Sequence, residues 1–104
     1  MAWTLLMVAA ALEVGWAIGL KYTHGFTRFW PSFWTLLAMA FSMSLLAWSA
    51  RTLPIGTAYA VWTGIGAAGT AVLGVYLFGE AASAIRVAGV GLIIVGVALL
   101  KRAG

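Results

Sequence analysis

The sequence contains no cysteine and very little charge. Of its 104 residues only 8% are charged, two are acidic and one is histidine. Without cysteine, disulfides and thiolate metal sites are excluded. A soluble domain of this length needs many more charged side chains to cover its surface. No nucleophile–base pair, metal-binding cluster or phosphate-binding loop is present, so the sequence predicts neither an enzyme nor a bound metal or cofactor.

The basic residues lie at the ends of apolar runs and form no basic face. The net charge of +4 therefore suits contact with anionic lipid headgroups, and nucleic acid is not an expected partner. The first apolar run follows Met1 directly and lacks both a basic leader and a small-residue cleavage signal. We therefore expect it to be a retained helix and not a signal peptide.

Hydrophobic residues make up 64% of the chain and fall into four spans. These spans cover approximately residues 2–20, 30–50, 55–78 and 83–100. Each is long enough to cross a bilayer as a helix, the conformation that satisfies its own backbone in lipid. The connections are short, so neighbouring helices must run antiparallel. The sequence predicts one all-α integral membrane domain over residues 1–104, with four transmembrane helices.

The basic residues give this domain no preferred orientation, because three lie on each side of the membrane. Lys and Arg bias sets membrane topology, and a balanced count gives none. The balance predicts dual topology, in which identical chains insert both ways and pair as an antiparallel homodimer; chance in a small protein is the alternative. Such a dimer supplies the inverted repeat on which many transporters are built. The two sets are Arg51, Lys101 and Arg102 on one side and Lys21, Arg28 and Arg86 on the other.

Glu13 is the single acid inside any of the four spans. It lies ten residues beyond Trp3, which is roughly 15 Å along a helix and near the middle of a bilayer core of about 30 Å. A carboxylate at that depth is costly without a partner, and it marks an ion or proton pathway. A bound cation stabilises the carboxylate and a proton neutralises it, so the two compete for one group. That competition is what an antiporter requires.

Aromatic and hydroxyl side chains at matching depth are candidate partners of Glu13. Trp16 follows it at i+3, Tyr59 and Trp62 are three apart in the third span, and Ser42 lies near the middle of the second. An aromatic-walled cavity with a carboxylate at its base suits an organic cation. The alternative for tryptophan is interfacial anchoring, and for Ser42 a bond to its own helix.

Glycines in the third and fourth spans suggest movement and assembly. Gly64 and Gly66 weaken the third helix near its middle and predict a hinge for alternating access, with close packing as the alternative. Gly89 and Gly96 are seven residues apart and place a smooth face on the fourth helix. We expect that face to be a dimer interface, although packing within one subunit would give the same pattern.

Three separated motifs carry a resemblance to a known family. They are LEVGWAIGLKY at residues 12–22, GFTR at 25–28 followed by PS at 31–32, and LPIGTAYAVWTGIG at 53–66. In order and spacing they resemble the small multidrug resistance family. The resemblance implies a four-helix antiparallel homodimer in the bacterial inner membrane that exports cations in exchange for protons.

Trp16, Ser42 and the KYTHGF run at residues 21–26 are similar to the guanidinium exporter subtype of that family. The resemblance implies that Glu13 binds guanidinium or a proton and that Trp16 and Ser42 orient the substrate. Tyr59 and Trp62 are implied to line the site. An exporter of quaternary ammonium or multidrug cations is the alternative within the family. A proton-carrying rotor-ring subunit or an accessory subunit is the alternative outside it, and six tryptophans disfavour the former.

Overall fold

Four long helices make up the chain in a computed structural model that describes residues 1–103. The sequence spans correspond to α1 (Ala2–Tyr22), α2 (Phe29–Ser49), α3 (Ile55–Phe78) and α4 (Ala84–Ala103). Each of them is long and apolar enough to cross a bilayer. The prediction of an all-α protein with four membrane-spanning helices is confirmed.

Local chemistry explains where the helices end. The Thr23 hydroxyl donates to the Leu20 carbonyl at 2.8 Å and accepts the Phe26 amide at 3.1 Å, which closes the turn after α1. Pro54 precedes α3 with an extended backbone, and Gly79 ends that helix in the left-handed region at φ 66°. The Ser83 hydroxyl accepts the Arg86 amide at 3.2 Å and thus caps the start of α4.

The helices are not packed equally. α1 packs against both α2 and α3. Within the described chain α4 packs closely against α3 and reaches α1 through Lys101, whose ammonium group lies 5.6 Å from the Trp3 ring centroid. The core is small and lies where the first half of α1 meets the first half of α3. Its buried residues are Leu6, Ala9, Ala10, Ala58, Val61 and Trp62.

The chain has the shape of a slab, with extents of 40 × 34 × 16 Å. Because packed helices lie about 8–10 Å apart, a 16 Å dimension leaves room for about two helix layers. No residue of α4 within the described range is buried. Large apolar side chains are exposed along all four helices, as expected of surfaces that face lipid or another membrane protein.

Candidate functional site

Glu13 of α1 lies against α3, with its carboxyl group directly over Gly66. A Cβ atom at position 66 would overlap this carboxyl group, so glycine is what leaves room for the acid. The Oε1 atom is buried and has no hydrogen-bond partner among residues 1–103. An acid without a partner in such a place is costly and is a candidate for ligand or proton binding.

A cavity of about 450 Å³ opens beside Glu13, between α1 and α3. Its inner wall is made of small and hydroxyl-bearing residues of α3, among them Thr63, Ala67 and Thr70. The Thr70 hydroxyl is also buried without a partner in the described chain. The cavity, called the Glu13 cavity below, therefore offers an acid and a hydroxyl to a small polar ligand.

Ser42 links three helices by two buried hydrogen bonds. Its hydroxyl donates to the Ala9 carbonyl of α1 at 2.7 Å and accepts the Trp62 indole N–H of α3 at 2.9 Å. Ser42 thus bonds across the bundle and not to its own helix, the alternative that its spacing had left open. Ser44 shows the ordinary pattern, because it donates to Ala40 four residues earlier.

The predicted aromatic residues are only partly brought together. Tyr59 and Trp62 are neighbours, with ring centroids 5.7 Å apart and a tilt of 48°. Trp16 packs against the core that contains Trp62, and its buried indole N–H has no partner among the described residues. None of these three rings lines the Glu13 cavity of a single chain, and neither does Ser42.

Gly64 and Gly66 of α3 have packing roles. The helix is unbroken from Ile55 to Phe78. Gly64 faces Ile93 and Val97 of α4, and a Cβ atom at position 64 would lie only 2.7 Å from a Val97 methyl group. Close approach of neighbouring helices therefore accounts for Gly64, and the seat of Glu13 accounts for Gly66. The hinge remains a prediction.

Gly89 and Gly96 of α4 lie on an open surface. A Cβ atom at either position would meet nothing within 4 Å in the described chain. Packing inside one subunit, the alternative for these two residues, does not explain them. Their role in a dimer interface remains a prediction.

The sequence reasoning missed the outer end of the Glu13 cavity. That end, the cavity mouth, is lined by Lys21, Phe78, Glu80 and Arg86. The Lys21 ammonium group lies 5.4 Å from the Phe78 ring centroid, and Arg86 pairs with Glu80 at 3.3 Å. A signal was present, since residues 63, 66, 67, 70 and 74 recur at helical spacing and are all small or hydroxyl-bearing.

No group of three or more His, Asp or Glu side chains comes together in residues 1–103. The candidate site is therefore the Glu13 cavity, into which Glu13 and Thr70 bring polar atoms without a partner in residues 1–103. The Trp16 indole N–H also has no partner there but lies outside the cavity lining.

Four apolar helices and a carboxyl group beside a cavity define a small multi-pass membrane protein of the transporter class. A family model described as Small Multidrug Resistance protein matches residues 1–93. The chain belongs to this family.

Relatives of nearly equal length are named as exporters. The chain is 58% identical over 101 residues to the guanidinium exporter of Citrobacter freundii, covering 97% of this chain and 96% of the relative. The same figures hold for the guanidinium exporter of Salmonella typhimurium. Identity is 60% over 103 residues, or 99% of each chain, for that of Yersinia pseudotuberculosis. The chain is thus a multi-pass inner-membrane protein of a transporter family and not an enzyme.

Proposed function

We propose that this protein exports guanidinium and small guanidinyl cations across the inner membrane in exchange for protons. The carrying observation is Glu13, whose buried Oε1 has no partner in residues 1–103 and whose carboxyl group borders a cavity. The names of the relatives indicate the cation.

Guanidinium suits a carboxylate because its planar N–H groups match the two carboxylate oxygens in a fork. A proton on Glu13 removes the charge that this fork requires, so cation and proton exclude each other. Alternating access couples the two movements. Glu13 releases the cation on the outside and binds protons there, and the protons are released inside when the site faces the cytoplasm again.

The neighbouring side chains orient the cargo and the acid. The Trp16 N–H, which has no partner in residues 1–103, is available to a carboxylate oxygen once the site closes, and Ser42 fixes the Trp62 ring through its hydrogen bond. Tyr59 and Trp62 then present ring faces to the cation, each worth about 0.5–2 kcal/mol depending on desolvation. In this proposal Gly64 and Gly66 act as the hinge in α3.

The functional unit is an antiparallel homodimer. One chain is a slab 16 Å thick whose Glu13 cavity is open, and a Cβ atom at Gly89 or Gly96 of α4 would meet nothing within 4 Å in residues 1–103. A second, inverted copy places another Glu13 near the first, so that two acids share protons and one cation. Interfaces in membranes favour such small residues because backbones can approach closely.

Proteoliposomes with an imposed proton gradient test this function. Wild-type protein is expected to accumulate guanidinium against its gradient. The rate of guanidinium uptake by the Glu13→Gln variant should be lower by at least about tenfold, which is the scale of one lost charge-assisted contact. Glu13→Asp keeps a carboxylate and serves as the matched control. Chemical cross-linking reports whether each variant still dimerises. Coupled uptake by a dimeric Glu13→Gln protein contradicts the proposal.

Substrate choice is tested in the same vesicles. Tetramethylammonium and tetraphenylphosphonium carry one charge but have no N–H donor, so they cannot form the fork with Glu13. We expect guanidinium to be preferred over both. Preference for either of the other cations favours the alternative, a quaternary ammonium or multidrug exporter of the same family.

A further inference from the structure

The chain has two acids, and both face one cavity. Glu13 lies at its inner end and Glu80 at the cavity mouth. Glu80 follows Gly79, whose left-handed backbone reverses the chain after α3. This reversal lets the Glu80 amide donate to the Gly74 carbonyl at 3.3 Å and turns residue 80 back over the helix.

The Glu80 carboxyl group packs against a glycine of α3, as the Glu13 carboxyl group does. It lies over Gly74, where a Cβ atom would overlap it, just as the Glu13 carboxyl group lies over Gly66. The two glycines are eight residues apart, or about 12 Å along the helix axis. Thr70 lies midway between them and lines the same cavity with a partner-free hydroxyl in the described chain. Along α3 the cavity wall therefore presents Gly66 under the Glu13 carboxyl group, then the Thr70 hydroxyl, then Gly74 under the Glu80 carboxyl group.

The present partner of Glu80 is itself a guanidinium group. Arg86 Nη2 lies 3.3 Å from Glu80 Oε1, while Nη1 donates to the Ala81 carbonyl at 2.7 Å. The side chains are 42% and 39% exposed, and ion pairs this open to water are weak and exchange readily. Lys21, the other cation at the cavity mouth, is held over the Phe78 ring. It is Arg86 that an incoming cation must displace from Glu80.

We infer that Glu80 is a second cation site, at which a guanidinium cation displaces the Arg86 side chain on its way to or from Glu13. This inference rests on the proposed export of guanidinium. Arg86 acts as a positioning residue: it occupies Glu80 in the absence of cargo and competes the cargo off again. Pathways conduct only when each site binds strongly enough to load and weakly enough to release.

The two partners therefore have opposite effects on guanidinium affinity. Removing the acid with Glu80→Gln is expected to raise KM for guanidinium about two- to fivefold, the scale of one exposed ion pair. Removing the competitor with Arg86→Gln is expected to lower KM by a similar factor and to slow turnover. In the double variant KM should equal that of Glu80→Gln, because Arg86 acts through Glu80. Every Arg86→Gln protein also carries Arg102→Gln, so that two basic residues remain on each side of the membrane.

Binding to purified protein in detergent should shift in the same directions, which separates affinity from membrane orientation. Arg86→Lys keeps the positive charge and is expected to lie between wild type and Arg86→Gln. Equal or same-direction shifts for Glu80→Gln and Arg86→Gln overturn the inference, because a pair that merely anchors the loop is weakened by either change. A changed number of protons per guanidinium in Glu80→Gln also overturns it. If wild-type protein in vesicles does not transport guanidinium, the proposed function is contradicted. If it does transport guanidinium but the variants have unaltered KM values, only the inference about Glu80 is contradicted.

Discussion

At the scale of single residues, the site depends on glycine as much as on the acid. Gly66 is buried under the Glu13 carboxyl group and admits it only because it has no side chain. The acid in α1 and the glycine in α3 depend on each other. The sequence of either helix alone does not indicate which residue of the other helix it contacts.

Gly66→Ala is expected to weaken guanidinium binding by roughly tenfold, because the added methyl group displaces the carboxyl group at a cost of about 1–3 kcal/mol. The matched control is Gly56→Ala in the same helix, where a Cβ atom meets nothing within 4 Å. Isothermal titration of both variants in detergent gives the affinities. Equal affinities for the two variants contradict the proposed seat of Glu13.

Ser42→Ala is expected to lower the free energy of unfolding by about 1–3 kcal/mol, because it leaves the buried Trp62 N–H without an acceptor. The guanidinium KM should rise as the Trp62 ring loses its fixed position. Ser44→Ala is the control, since that exposed hydroxyl bonds only within α2. Thermal unfolding in detergent compares the two, and equal losses argue against a special role for the cross-helix link.

At the scale of helices, the apolar runs predicted all four elements, with ends that differ from the structure by at most three residues. Run length and charge placement suffice there because lipid leaves the backbone no alternative to a helix. The register between helices could not be read in the same way. The relative axial positions of α1, α2 and α3 determine which residues Ser42 contacts. They also determine which residue lies under Glu13 and where Glu80 lies.

The open face of α4 gives the prediction for this scale. Gly96→Leu is expected to shift the protein from dimer to monomer, because a bulky side chain keeps two α4 helices apart. Gly91→Leu is the matched control: position 91 also has open space but lies 200° around the helix from position 89, on the opposite face. Cross-linking in membranes measures both variants. If Gly96→Leu and Gly91→Leu reduce the dimer fraction equally, or if neither reduces it, the Gly89 and Gly96 face is not the dimer interface.

At the scale of the whole molecule, the proposed dimer gives the open Glu13 cavity a second copy of the chain to enclose the cargo. The basic residues divide three against three between the two ends of the bundle, and this balance predicts that one gene product supplies both orientations. An antiparallel pair would also turn one Glu80 mouth toward each side of the membrane. The same loop would then serve uptake of cargo in one subunit and release in the other.

Reporters fused to the C-terminus, one active only in the cytoplasm and one only outside it, are expected to give comparable signals for the wild-type chain. Arg28→Ser leaves two basic residues against three and should place the C-terminus of nearly all chains in the cytoplasm, because the more basic side is retained there. Arg28→Lys keeps the count and should behave as wild type. Arg28→Ser alone should therefore transport poorly, and co-expression with a chain biased the opposite way should restore transport. A one-sided signal from the wild-type chain contradicts dual topology, and full transport by the one-sided variant contradicts the antiparallel pair.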